Sequence, residues 1–320
     1  EHNQSKLHNQ RMAEHTVTLK SGLAMPLVGL GTWKSPPGEV KAAVYEALKI
    51  GYRHIDCAWE YGNQTEVGEA IAQAIQEGIV KREDLWITSK LWNNFHAGAD
   101  VEPHLQDTLN QLQLKYLDLY LMHWPATDVE GSTLTPPYSE TWAAMEAVLE
   151  KGLVRGIGVS NMTIKKLEKM KEYARIVPAV CQGEMHPLFR QDELLQYCKN
   201  EGIHWTAYSP LGSSDSAEKM HHTGFDLLKN ETVHKVAAEL NKTPGQVLIR
   251  WALQHGTSVI PKSVHAERIR ENFEVFDWEI PAEQFHALST LEPQTRFLRA
   301  DYLVQAGGPY KSVGEIWDEE

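Results

Sequence analysis

A chain of 320 residues suits one large domain or two ordinary ones. With 42% hydrophobic and 23% charged residues it has the balance of a globular protein, not a disordered one. A formal net charge of -12 without a domain-scale basic patch argues against binding a nucleic-acid backbone, though it leaves room for one small anionic ligand.

Residues 1–14 read as a polar extension, expected to be disordered, and residues 15–320 as a single barrel domain. The first eleven residues lack the apolar core of a signal peptide, and Met12 reads as a natural start. Nowhere is there an apolar run of about 18 residues that would span a membrane. A cytoplasmic protein is therefore expected. Segments 17–19 and 24–26 flank Ser21-Gly22 and predict a small hairpin, placed to plug the bottom of a barrel.

From there on, short apolar runs alternate with amphipathic segments. The runs are 27–30, a weaker one at 53–56, then 85–89, 117–122, 153–159, 180–184, 204–208 and 258–260. Between them, Val40, Val44, Ala47 and Leu48 fall on one helical face, as do Val67, Ala70, Ile71 and Ile75. Leu105, Leu109 and Leu112 make a third stripe, and Met145, Val148 and Leu149 a fourth. Thr243-Pro244 is a helix start, with Thr as cap and Pro in the first turn. Eight such units predict an α/β fold, a closed (β/α)8 TIM barrel. An open doubly wound sheet is the alternative, but Gly29-Leu-Gly31 runs into Thr32, Trp33 and Lys34 without the third glycine of a dinucleotide fingerprint. The two glycines are expected to serve a tight turn. The three cysteines, Cys57, Cys181 and Cys198, show no CxxC spacing, so buried free thiols are expected and neither a disulfide framework nor a metal site.

In such a barrel the site lies where strands end. Asp56 ends one run, Tyr61 follows it in a loop, Lys90 ends the next and His123 the one after. Taken singly, each has an ordinary explanation: a cap, a solvated lysine, a structural histidine, a rim aromatic. Together, four proton-handling groups at successive strand ends point to acid catalysis by tyrosine. A phenol titrates near 10. A Lys90 ammonium beside it would favour phenolate and lower that value, and Asp56 would hold the lysine charged. His123 would hydrogen-bond the carbonyl oxygen and orient the substrate.

The stretches Gly51-Tyr-Arg-His-Ile-Asp-Cys-Ala, Tyr116-Leu-Asp-Leu-Tyr-Leu-Met-His-Trp-Pro, Gly156-Ile-Gly-Val-Ser-Asn and Ile260-Pro-Lys-Ser-Val resemble those of the aldo-keto reductase family, the aldose, aldehyde and xylose reductases among them. The likeness covers essentially residues 15–320 and implies a monomer, or at most a weak dimer. It implies NADP(H)-dependent reduction of aldehydes or ketones, aldoses included, with Tyr61 as general acid, Lys90 and Asp56 tuning it and His123 orienting the substrate. It implies that Ser160, Asn161 and Gln182 hold the nicotinamide carboxamide and that Tyr208 stacks on the ring. By the same likeness, Ser209, Pro210, Leu211, Gly212 and Ser213 cross the pyrophosphate. Gly31, Thr32, Trp33 and Asp56 also border the cofactor. Lys262, Ser263, Val264 and Arg268 take the 2′-phosphate, and Glu271 and Asn272 the adenine. The residues agree on the phosphate: a helix start with Lys262, Ser263 and the forked donor Arg268 favours an anion.

The sequence departs from the family pattern at His265, where a hydroxyl is usual, at Gly183, where a bulkier apolar residue is usual, and at Met162, which replaces an aromatic. Trp33, Trp92, Phe95 and Trp124 follow strand ends and would line the substrate pocket, with rim packing the alternative for at least one. Glu60, next to Tyr61, would add a carboxylate at the mouth. Segment 294–320 has few helix signals and resembles the family's pocket-closing C-terminal loop. Two rival functions fit less well: an aldolase using Lys90 as Schiff-base nucleophile, and a non-catalytic NADPH-binding protein.

Overall fold

The computed structural model describes residues 15–127, 134–213 and 226–319; the expectation for residues 1–14 lies outside them. Strands β1 (Thr16–Thr18) and β2 (Ala24–Pro26) form the antiparallel hairpin, with Val17 opposite Met25. Leu19 and Met25 pack against Trp86, Leu119, Leu121 and Val180. Three of these open barrel strands, so the hairpin does plug the barrel's lower end.

The barrel strands are β3 (Gly29–Gly31), β4 (His54–Asp56), β5 (Trp86–Leu91), β6 (Leu119–Met122), β7 (Ile157–Ser160), β8 (Val180–Glu184), β9 (His204–Tyr208) and β10 (Ser258–Val259). They pair in parallel in sequence order. The parallel bridges Val28–Val259 and Gly31–Lys262 join the two edges and close the ring. Several strands begin later than their apolar runs. Strands tilted in a barrel are staggered, so only the middle of each run pairs on both sides. Leu117 and Val154, for instance, are left as a lone bridge below β6 and β7.

Gly29 and Gly31 do not make a turn as expected; they lie inside β3. A Cβ on Gly29 would sit 2.7 Å from the His54 ring, and one on Gly31 would sit 2.7 Å from the Ile260 carbonyl oxygen. The glycines let the first strand approach its neighbours where the barrel closes.

The helices are α1 (Val40–Ile50), α2 (Gln64–Gln76), α3 (Gly98–Leu112), α4 (Tyr138–Glu150), α5 (Ile164–Met170), α6 (Asp192–Glu201), α7 (Glu231–Leu240), α8 (Pro244–Gln254), α9 (Ala266–Phe273), α10 (Ala282–Ser289) and α11 (Val313–Trp317). The expected stripes face the sheet: Val40, Val44, Ala47 and Leu48 from α1, Leu105, Leu109 and Leu112 from α3, and Met145 and Val148 from α4 are buried. Ile75 is the exception, exposed in the last turn of α2, beyond its buried stripe, while Leu149 is partly buried. Thr243 caps α8 through a reciprocal pair: its hydroxyl accepts from the Gln246 amide, and the Gln246 side chain accepts from the Thr243 amide. Cys57, Cys181 and Cys198 are buried free thiols. Among the described residues no helix is long and apolar enough to cross a membrane.

Candidate active site

Lys90, the fifth residue of β5, is 1% exposed. Its side chain reaches toward the neighbouring β4, and its three N–H bonds find three acceptors. Nζ donates to Asp56 Oδ1 at 2.5 Å, to the Cys57 carbonyl oxygen at 2.8 Å and to the Tyr61 hydroxyl oxygen at 3.2 Å. Asp56 ends β4, and its other carboxylate oxygen accepts from Gln182 Nε2 at 2.8 Å. Tyr61 stands on a 3-10 turn, Trp59–Tyr61, that ends at the left-handed Gly62 with φ 67°. Because Tyr61 Oη accepts from Lys90, its own proton is left to be donated elsewhere.

His123 directly follows β6, and its amide donates to the Leu91 carbonyl at 3.1 Å. Its ring lies edge-on to Tyr61 at 5.9 Å and to Trp92 at 5.3 Å. Burial, with Lys90 and His96 nearby, holds its pKa well below the ordinary value, so the imidazole is neutral.

The expected lowering of the Tyr61 pKa is not what the site produces. Burial pushes the phenol up; Lys90 pulls it down and Asp56 opposes Lys90, and the balance settles at about 12. Lys90 runs the other way. Burial alone would strip its charge, but Asp56 and Tyr61 together outweigh burial and leave its pKa raised. The resting pair is thus a neutral phenol beside a charged ammonium.

These groups open onto a cavity of about 1040 Å³. Asp56, Tyr61 and His123 line it, while Lys90 lies beneath, in contact with Tyr61. Trp33, Glu60, Trp92 and Trp124 line it as expected, and so do Gly31 and Thr32. Phe95 does not: it lies tilted against His104 at 4.3 Å and meets Trp59 edge-on at 5.3 Å, so it packs the rim.

Ser160 ends β7, Tyr208 ends β9, and both line the cavity with Asn161 and Gln182. Asn161 adopts φ 60° and is already engaged: Nδ2 donates to the His123 carbonyl at 3.0 Å and Oδ1 accepts from the Tyr208 hydroxyl at 2.7 Å. Gln182 uses its amide nitrogen on Asp56, leaving its amide oxygen for another donor. Ser209, Pro210, Leu211 and Ser213 line the cavity as well, with the Ser213 hydroxyl donating to that of Ser209 at 2.9 Å. Gly212 does not; its left-handed backbone faces Leu227 and Phe297, where a Cβ would come within 3.1 Å and 3.4 Å.

Lys262, Ser263, Val264, Arg268, Glu271 and Asn272 share the same cavity, and the departing residue His265 joins them. Two cations, a hydroxyl and the start of α9 make a donor set that suits a phosphate monoester. The start of α8, Thr243 to Gly245, faces the same space. Its capping signal is readable in the sequence, but not the direction in which it points. Gly183 is explained by Trp205: a Cβ there would lie 2.6 Å from the indole, which supplies the bulk from the neighbouring strand.

Other lining residues are not singled out by the sequence, though two of those that follow fall in its expected pocket-closing segment. Lys34, Leu298 and Tyr302 line the cavity. The last two belong to the C-terminal segment, which also contains the helix α11, capped by Ser312, that its sparse signals do not suggest. Tyr302 and Trp317 both meet Trp124 edge-on, at 5.7 and 6.0 Å, so this segment does close over the mouth.

The barrel architecture is also what the comparison with solved structures identifies. The model of the Aldo/keto reductase family matches residues 27–292. The chain is 46% identical over 300 residues to aldo-keto reductase family 1 member A1 of Bos taurus, covering 90% of this chain and 92% of that one. It is 44% identical over 309 residues to aldo-keto reductase family 4 member C11 of Arabidopsis thaliana, covering 94% and 97%. The solved aldose reductase of Schistosoma japonicum superposes with a TM-score of 0.83 at 40% identity, over 92% of this chain and 98% of that one. The chain belongs to the aldo-keto reductase family, whose members are oxidoreductases.

Proposed function

We propose that this protein reduces aldehydes or ketones, aldoses among them, to alcohols with NADPH, and that Tyr61 is the general acid. The observation that carries the reading is the three-way contact of Lys90 with Asp56, Cys57 and Tyr61. NADPH, when bound, supplies the hydride. The protein supplies the rest. Tyr61 donates its proton to the carbonyl oxygen, and the phenolate that forms is stabilised by the ammonium already 3.2 Å away. Neutral His123 offers a hydrogen bond to the same oxygen and orients the substrate. Asp56, held in turn by Gln182, keeps Lys90 charged throughout. Trp33, Trp92 and Trp124 give an apolar wall that excludes water, while Glu60 adds a carboxylate.

Lys262, Ser263 and Arg268 support the choice of NADPH over NADH, since they present charge-assisted donors to a 2′-phosphate. The aldolase reading is disfavoured by the same contacts: a lysine held protonated with all three N–H bonds committed is no nucleophile. A panel of aldehydes and ketones, assayed with NADPH and NADH as separate donors, tests the proposal. Absence of NADPH oxidation with every carbonyl would overturn it.

A further inference from the structure

Glu184 ends β8, two residues after Gln182, and is 1% exposed. Residues two apart on a strand share a face. Gln182 meets the catalytic Asp56, while the Glu184 carboxylate faces the C-terminal segment. Oε1 accepts from the Phe297 amide at 2.8 Å and Oε2 from the Leu298 amide at 2.8 Å. Oε1 also meets His186 Nε2 at 2.8 Å, and the His186 ring lies 4.4 Å from that of Phe297. The same two stretches are joined further out: the Thr295 amide donates to the Leu188 carbonyl at 2.7 Å, and the Arg190 amide donates to Gln294 Oε1 at 2.8 Å.

A buried carboxylate without partners would be strongly disfavoured. Here three N–H donors satisfy it, and despite burial its pKa lies below the ordinary carboxylate value. The consequence is positional. Leu298, bound directly to Glu184, lines the cavity, and Tyr302 lines it four residues on. We infer that Glu184 is a positioning residue for substrate recognition, its carboxylate fixing the C-terminal wall of the pocket to the strand that carries Gln182. The inference rests on the reductase reading for its catalytic consequence but not for its structural one.

A carboxylate suits this place where an amide does not. Glu184→Gln keeps the shape but turns one acceptor into an N–H₂ group, which must face a buried N–H donor. In hydrogen exchange on the full chain, the amides of Phe297 and Leu298 should be protected in the wild type relative to those of residues 305–308. In Glu184→Gln they should exchange about ten- to a hundredfold faster. An aromatic aldehyde such as para-nitrobenzaldehyde is large enough to reach the wall, and its Michaelis constant should rise by roughly tenfold. Propanal reaches only Tyr61 and His123, and its turnover number should stay within about twofold. Unchanged exchange at both amides in the variant would overturn the inference, as would equal changes in the Michaelis constants for the two aldehydes. Should the variant fail to fold, wild-type amides at 297 and 298 exchanging as fast as 305–308 would also overturn it. A wild type that oxidises no NADPH with either aldehyde would remove the reductase reading, leaving the exchange result to decide the attachment by itself.

Discussion

At the floor of the cavity, Asp56, Lys90 and Gln182 come from three strands, are all at most 3% exposed and hold one another by direct hydrogen bonds. At the rim, Trp33, Glu60 and Tyr302 come from loops, a short turn and the C-terminal segment, and Tyr302 is 50% exposed. The floor fixes protonation states; the rim sets what can approach. The two regions should therefore fail differently when altered. Floor substitutions should remove transition-state stabilisation and spare binding, whereas rim substitutions should change discrimination between ligands and spare the proton transfer.

The sharpest break is at the acid. Tyr61→Phe removes the proposed proton donor and leaves the rest of the floor in place. Carbonyl reduction should fall by ~10² to 10⁴, with NADPH affinity, read by titration of the bound cofactor, nearly unchanged. Lys90→Met should be comparably damaging, because it removes the ammonium that stabilises the phenolate and leaves the Asp56 charge buried. Asp56→Asn should cost less. It keeps an acceptor for Lys90, and the Gln182 amide can turn to match the new nitrogen. Greater loss in Asp56→Asn than in Lys90→Met, with both folded by circular dichroism, would show that the order is wrong.

The pH profile sharpens the same contrast. Reduction needs Tyr61 protonated, and a phenol held at about 12 stays protonated as pH rises from neutrality. His123, held well below its usual value, stays neutral as pH falls. The kcat for reduction should then be flat from about pH 6 to about pH 9, while alcohol oxidation, which needs the phenolate, should rise with pH across that range. A reduction limb centred near neutrality that shifts on substitution of His123 or Tyr61 would contradict both protonation states.

The floor is also the part legible in the sequence. Strand ends recur at regular intervals, so periodicity places Asp56, Lys90 and His123 together, with Tyr61 one loop further on. What periodicity cannot weigh is burial against charge. The sequence suggests that Lys90 lowers the Tyr61 pKa, yet in the folded site burial outweighs it. The rim is less legible because loop residues carry no period. Phe95 and Trp92 lie three residues apart after the same strand, but a 3-10 turn, Asn93–Phe95, turns one toward His104 while the other faces the cavity. Gly29 and Gly31 look like turn residues because a contact between the first and last strands, as at Ile260, leaves no local trace. Leu298 and Tyr302 fall in the segment that the family likeness marks as pocket-closing, but which of its residues reach the mouth has no local trace, since the Leu298 amide is held by Glu184, more than a hundred residues away in the chain.

A smaller effect is expected where the proposed reading puts the 2′-phosphate of NADPH. Arg268→Ala should weaken NADPH by about ten- to a hundredfold, the equivalent of ~1.5 to 3 kcal/mol for a charge-assisted hydrogen bond. NADH should hardly change. Dissociation constants for the two cofactors make the comparison, and equal weakening of both would remove Arg268 from the phosphate site.

The smallest effect is expected at Glu60, and it asks whether the rim discriminates by charge. Glu60 immediately precedes Tyr61 on the same 3-10 turn and lines the cavity. It is exposed to solvent, so much of its field is screened. Charges at such a partly screened rim interact by about 1 to 4 kcal/mol at ~4 Å, and the lower end applies here, a few-fold in rate. An anionic aldehyde should be repelled, while a neutral polyhydroxy aldehyde can donate hydrogen bonds to the carboxylate. Glu60→Ala should therefore raise kcat/KM for glucuronate relative to xylose, leaving the kcat for a neutral aromatic aldehyde unchanged because the floor is untouched. High salt should shrink the wild-type preference toward that of the variant, as screening removes what the substitution removes. If the glucuronate-to-xylose ratio is the same in wild type and variant at low ionic strength, Glu60 lines the cavity without taking part in recognition. Discrimination at the rim then falls to its aromatic walls.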